Sequence, residues 1–212
     1  MNAQPAVQPL APPGSRRDQI LDAAMACFAS AGFRGTTTRE IAGRVGITEA
    51  ALYRHFESKE ALYAAIIARK IDGSAPLAAH EAAAAAGNDR EVFGGLARRM
   101  IERVEADPAF IRILHFTALE GHSLAEPFFA SRILRIREFL SGYIARRIRE
   151  GAFRPVDPVI AARAFLGMVS DYINVRVVFR QEDVYQQPVE QVIETFVSLF
   201  LTGISSPSGE KR

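Results

Sequence analysis

Between Thr37 and Lys59 the chain gathers side chains whose chemistry is hydrogen bonding. They are the hydroxyls of Thr37, Thr38, Thr48 and Tyr53, the carboxylate of Glu49, the imidazole of His55 and the cations Arg39 and Lys59, with Ala50 and Ala51 among them. Donors of this kind bind phosphate oxygens, and a carboxylate accepts from the amino group of a base. Covalent chemistry has no comparable support. The chain contains no G-x-S-x-G, H-E-x-x-H, P-loop or G-x-G-x-x-G, the patterns that mount a nucleophile, a zinc ion or a phosphate cradle. His115, Glu120 and His122 lie close together in sequence but match no metal-ligand spacing. No catalytic residue, no metal and no cofactor is expected.

Such a surface needs short, sharply turned elements to position it, and the sequence marks their boundaries. Thr37 followed by Glu40 forms a capping box, and Thr48 and Ser58 are further N-caps. Each can accept from a main-chain N–H that a helix start leaves unpaired. Ser15 with Asp18 opens an earlier helix, along which Ile20, Ala24, Cys27, Phe28 and Ala31 recur at helical spacing. Gly32 is expected to stop it. Ile41, Ala42 and Val45 give a short second helix its inner face, Gly46 closes it, and Ile47 and Leu52 can lock the next segment onto it. Two short helices around a glycine-containing turn, inside a three-helix unit, follow the plan of a helix-turn-helix. The second would offer Thr48, Glu49, Ala50, Ala51, Tyr53 and His55 to a major groove, with small residues where the backbone approaches base edges.

Residues 34–67, RGTTTREIAGRVGITEAALYRHFESKEALYAAII, closely resemble the DNA-binding domain of the tetracycline-repressor (TetR) family. The matching positions are Phe33, Thr37-Thr38, Ile41-Ala42, Val45-Gly46-Ile47, Leu52-Tyr53, His55-Phe56 and Lys59 to Leu62. The resemblance implies phosphate contacts from Thr37, Thr38, Tyr53, His55 and Lys59. It implies base reading by Arg39 and by Thr48, Glu49, Ala50 and Ala51. Two positions depart from it: many relatives carry Lys or Gln at Glu49, and Thr or Ser at Ala51. Glu49 can accept from cytosine N4, and Ala51 can touch only a thymine methyl. Glu49 has a plainer role open to it, as a first-turn acid favoured by the helix dipole. Arg39 can equally pair with Glu40 or Glu57 on a solvated face.

Composition bounds the rest. The chain has 212 residues, 49% hydrophobic and 24% charged, enough apolar material for a core and too much for overall disorder. Residues 1–72 carry 9 Lys+Arg against 7 Asp+Glu, and the remainder is neutral. DNA binding is therefore argued from the motif, because the charge excess is slight. A lone cysteine, no secretory signal and no apolar run of about 18 residues point to the cytoplasm and away from a membrane. Cys27, on the apolar stripe, is expected to be a buried small hydrophobe. Residues 1–14, proline-rich and uncharged, and 207–212 read as tails. Residues 15–72 form the helix-turn-helix domain, and 73–206 a larger helical one.

An all-α fold is expected throughout. Helices are expected at about 90–106, 108–119, 124–150, 158–180 and 188–204, after an alanine-rich loop or linker. Residues 158–180 are apolar on two stripes, and Val189, Val192, Ile193, Phe196, Phe200 and Ile204 form a broad stripe on 188–204. Such helices need cover from more than one side. The resemblance implies that these two segments build a homodimer. It also implies that residues such as Phe110, Leu114, Phe116, Phe128, Phe165, Met168 and Tyr172 line a pocket for an effector. Their character favours an apolar or aromatic ligand with one or two polar groups. A ligand-responsive repressor released from a palindromic operator fits these features. The alternative, a helical protein-interaction adaptor, leaves the capped three-helix unit unexplained.

Overall fold

Side-chain caps start the N-terminal helices where the sequence places them. In the computed structural model, which describes residues 14–72, 78–121, 123, 133–184 and 186–206, Ser15 and Asp18 cap each other reciprocally at the head of α1 (Arg16–Gly35). Thr37 Oγ1 accepts from the Glu40 N–H at 3.1 Å and opens α2 (Thr38–Val45). Thr48 Oγ1 accepts from the Ala51 N–H, again at 3.1 Å, and opens α3 (Glu49–Tyr53). Ser58 Oγ accepts from the Ala61 N–H, also at 3.1 Å, and α4 (Lys59–Asp72) follows. Gly46 adopts a left-handed φ of 71° and sends its N–H back to the end of α2, the geometry a tight inter-helix turn needs.

The remaining helices are α5 (Ala78–Ala85), α6 (Asp89–Ala106), α7 (Pro108–Leu119), α8 (Leu134–Arg149), α9 (Pro158–Ile173) and α10 (Val189–Ile204). Among the described residues there is no strand; Phe153 and Ser205 form one isolated bridge. Gly32 interrupts α1 as expected: its φ of 74° and ψ of 179° are non-helical, and only a short helical turn continues to Gly35. Two expectations change. The alanine-rich stretch holds a helix, α5, because alanine has the highest helix propensity. The segment expected to be α-helical to 180 leaves α geometry at Asn174, where a π-helical turn runs over Asn174–Val178. The expected helix start at 124–132, with Phe128 and Arg132, lies outside the described residues.

Two cores form, and the chain does not divide them at residue 72. The first joins α1 to α4 through Ile20, Phe28, Ile41, Leu52, Leu62, Tyr63 and Ile66, and it also takes in Phe110, Ile113 and Leu114 of α7. The second joins α6, α8, α9 and α10 around Phe93, whose ring lies 4.9 Å from both Phe165 and Phe200. Cys27 is buried as expected, and burial pushes its thiol up to about 11, far from a reactive thiolate.

His80, on α5, is 6% exposed and faces α6, and its Nε2 has no hydrogen-bond partner among the described residues. Burial first, and then Arg99, lowers its pKa below the usual value of 6.5, against an opposing pull from Glu91. The unfolded chain therefore takes up the proton first, so stability should fall as pH drops below the unfolded value. Melting temperatures at pH 7.5 and 5.5 should diverge more for the wild type than for His80→Gln. Equal divergence would remove His80 as the cause.

Candidate nucleic-acid interface

The polar residues singled out between Thr37 and Lys59 fall into three groups. The first faces solvent. Thr37, Arg39, Thr48, Ala50 and His55 are exposed, and the two threonines accept their capping bonds with lone pairs, which leaves each hydroxyl proton to donate outward. Arg39 has no ion-pair partner among the described residues; Glu40 pairs with Arg44 instead, at 3.5 Å. Ala51 is half-buried, a methyl on the edge of the same face.

The second group is tied together. Thr38, only 9% exposed at the start of α2, donates its hydroxyl to Glu49 Oε1 of α3 and lies 3.3 Å from the Tyr53 hydroxyl. This cluster joins α2 to α3 across the turn, beside the apolar lock of Ile41 and Leu52. Tyr53 stays 46% exposed.

The third is Lys59, and here the expected role changes. Its ammonium donates to the main-chain oxygens of Phe33 at 2.8 Å and Thr36 at 2.9 Å, and it sits 4.4 Å from the centre of the Phe33 ring. Two of its three protons thus satisfy carbonyls at the end of α1. Lys59 ties α1 to the start of α4 and is not primarily a free phosphate anchor. Sequence spacing could not show this, because the carbonyls belong to a turn 23 and 26 residues away.

A further set of residues, missed from the sequence, fastens this head to the rest of the chain through α7. Arg112 donates to the Ala29 oxygen at 2.9 Å, and the buried Tyr63 hydroxyl pairs with Thr117. Burial pushes Tyr63 up to about 12, so this hydroxyl stays protonated. At the kink of α1 the Glu120 carboxylate accepts from the Arg34 N–H at 3.2 Å, and the Arg34 guanidinium returns a bond to the Glu120 oxygen at 3.3 Å. Gly32, read from the sequence as a helix stop and non-helical in the structure, was the one available signal.

The residues expected to share an effector pocket are not brought together. Phe110 and Leu114 belong to the first core, and Phe116 packs beside Gly32, because α7 turns that face toward α1. Phe165 and Tyr172 are fully buried in the second core. Phe165 meets Phe200 edge-on at 5.2 Å, and Tyr172 meets Phe196 edge-on at 6.3 Å. Met168 is half-buried against that core, and Phe128 lies outside the described residues. Glu120 serves Arg34, and His115 Nε2 meets Asn174 Oδ1 at 2.9 Å where α9 turns π-helical. A groove of about 700 Å³ opens elsewhere, between the head of α6 and the end of α10, and is lined by polar residues including Asn88, Asp89, Arg90, Ser198, Thr202 and Ser205. Arg146, on α8, donates to the Ala84 oxygen and pairs with Glu150.

A capped three-helix head with an exposed second helix, mounted on a larger helical body, defines a helix-turn-helix DNA-binding protein. Comparison with known proteins narrows the class. Residues 20–66 match the model of bacterial regulatory proteins of the tetR family, and residues 90–203 match the C-terminal domain of AefR-like transcriptional repressors. The chain is 28% identical over 203 residues to the transcriptional repressor KstR2 of Rhodococcus jostii, covering 91% of this chain and 92% of that protein. Among solved structures, KstR2 of Mycobacterium tuberculosis superposes with a TM-score of 0.63 at 26% identity, over 92% of this chain and 97% of the other. PfmR of Thermus thermophilus gives 0.66, also at 26% identity, over 91% and 99%. The chain belongs to the TetR family. It is a DNA-binding transcriptional regulator, and the C-terminal model and the relative it matches are those of repressors. No helix among the described residues is long and apolar enough to cross a membrane.

Proposed function

We propose that α3 enters the major groove of a palindromic operator, with Arg39, Thr48, Glu49, Ala50 and Ala51 toward base edges and Thr37 and His55 toward phosphates. The observation that carries this is the outward hydroxyl protons of Thr37 and Thr48 on two helices fixed by one core. The chain acts by binding alone, in the cytoplasm, without catalysis. Its effector is an apolar or aromatic molecule with one or two polar groups, held in the body beside Met168 and Tyr172. There α9 leaves α-helical geometry and Asn174 faces His115, and π-helical turns are frequent at functional positions. The route back to the head is α7, which carries both His115 and the contacts to α1 and α4.

Regulation then follows from linkage. An effector that favours a spacing of the two heads unsuited to the operator lowers DNA affinity, and DNA lowers effector affinity by the same factor. Footprinting on the DNA upstream of the protein's own gene tests the DNA half of this reading. A two-fold dimer should protect two half-sites whose centres lie about 34–36 Å apart, one helical turn. Protection of a single asymmetric half-site by a monomer would overturn it.

A further inference from the structure

We propose that Glu49 reads a cytosine in each half-site, and that Tyr53 and Thr38 hold it there through a one-way chain of hydrogen bonds. The proposal rests on operator binding by α3 and names the base that binding selects.

The direction of the chain follows from counting protons. A threonine hydroxyl has one proton and two lone pairs. Thr38 gives its proton to Glu49 Oε1, so the 3.3 Å contact with Tyr53 must be the tyrosine hydroxyl donating to Thr38. The tyrosine proton is spent in turn. Tyr53 therefore approaches DNA with its exposed ring and an acceptor oxygen, without the phosphate-donating hydroxyl that the family resemblance implied. The chain ends on a carboxylate with Oε1 occupied and, among the described residues, no partner for Oε2.

No cation offsets that carboxylate: Glu49 has no ion pair among the described residues, and Arg44, on the neighbouring helix, is paired with Glu40. An acceptor-only group is repelled by phosphate oxygens, by guanine N7 and O6 and by thymine O4. Cytosine N4 has an acceptor on one side only, the O6 of its paired guanine, whereas the adenine amino group lies between its own N7 and thymine O4. The tether decides where this selectivity acts. Thr38 is buried and rooted on α2, so the carboxylate is aimed from outside its own short helix, and a freely rotating glutamate would read less sharply. Thr38 is thus a positioning residue for Glu49, and not itself a contact.

Selection from a randomised operator library, using the full-length dimer, tests the assignment, with circular dichroism confirming that each variant folds. The wild type should select cytosine at one base pair of each half-site, by roughly 5- to 150-fold over other bases. Glu49→Gln, which offers a donor beside an acceptor, should move that preference to adenine. Thr38→Val should relax the same base pair and no other, and Thr38→Ser, which keeps the hydroxyl, should restore it. Tyr53→Phe should leave binding to unrelated sequences unchanged, because no phosphate contact is lost. A uniform weakening on every sequence would show a phosphate-donating tyrosine and overturn the direction of the chain. Glu49→Gln and Thr38→Val variants that bind and select the wild-type base would overturn the proposal. A wild type that enriches no two-fold sequence would overturn the operator reading beneath it, and Glu49's role with it.

Discussion

Leu199→Asp is expected to give a folded monomer, and Phe200→Asp, one residue on, a chain that does not hold its fold. The two side chains stand about 100° apart around the helix, Leu199 toward solvent and Phe200 against the core. Leu199 is 65% exposed on the single chain, as is Ile160 at 68%. Thr195, Leu199 and Thr202 share one outward stripe of α10, and Ile160, Ala164 and Gly167 share one of α9. Thr195, Thr202, Ala164 and Gly167 are small enough to let a second pair of helices approach closely around Leu199 and Ile160, which suits these stripes to the subunit interface. Phe200 instead lies against the rings of Phe93 and Phe165, at 4.9 and 5.2 Å. Removing such a ring costs about 3–5 kcal/mol, and an unpaired carboxylate in its place costs more. That is a large share of a domain's stability of about 5–15 kcal/mol. The broad apolar stripe of 188–204 pointed to Phe196 and Phe200 as interface residues; their rings serve the chain's own core. Sedimentation and circular dichroism distinguish the outcomes. The Leu199→Asp monomer should also lose operator affinity by about 100-fold or more, since two linked half-sites gain about 10²–10⁴ in avidity. A Leu199→Asp variant that sediments as a dimer would move the interface off α10.

Gly32→Ala should both destabilise the chain and uncouple the head from the body. With φ 74° and ψ 179°, Gly32 occupies a region that is essentially glycine-only and costs other residues about 1–3 kcal/mol. A Cβ there would sit 2.4 Å from Glu120 Oε1 and 3.1 Å from Phe116 Cδ1. The carboxylate can swing away, but it then abandons the Arg34 N–H. A loss of about 2–4 kcal/mol follows from strain together with one charge-assisted hydrogen bond. For a chain of this size that lowers the melting temperature by roughly 4–16 °C. Glu120→Ala removes the bond without the strain and should cost less. A double variant less destabilised than the sum of the two would show that the side chains meet. Strict additivity would separate the kink from α7.

How far the sequence reached can be judged residue by residue. Ser15, Thr37, Thr48 and Ser58 were legible as caps because each acts on an N–H only two or three residues away, so local spacing carries the whole geometry. The all-α class followed from periodicity for the same reason, and the family from many matched positions at fixed spacing in one short segment. Glu49, by contrast, was left open between base reading and a helix-dipole role. What narrows it is a hydroxyl 11 residues away on another helix.

The sequence by itself determined most of the helical segments, which face of each is apolar, and which short unit meets DNA. Tertiary structure alone decided where Lys59 spends its protons, which core claims Phe110 and Leu114, and what packs against the break in α1 at Gly32. The physical reason is range. Capping and amphipathic spacing are fixed by bonds within a turn or two, so residue types suffice. Which buried faces meet depends on how helices distant in sequence pack together, as when Glu120 reaches Arg34 across 86 residues.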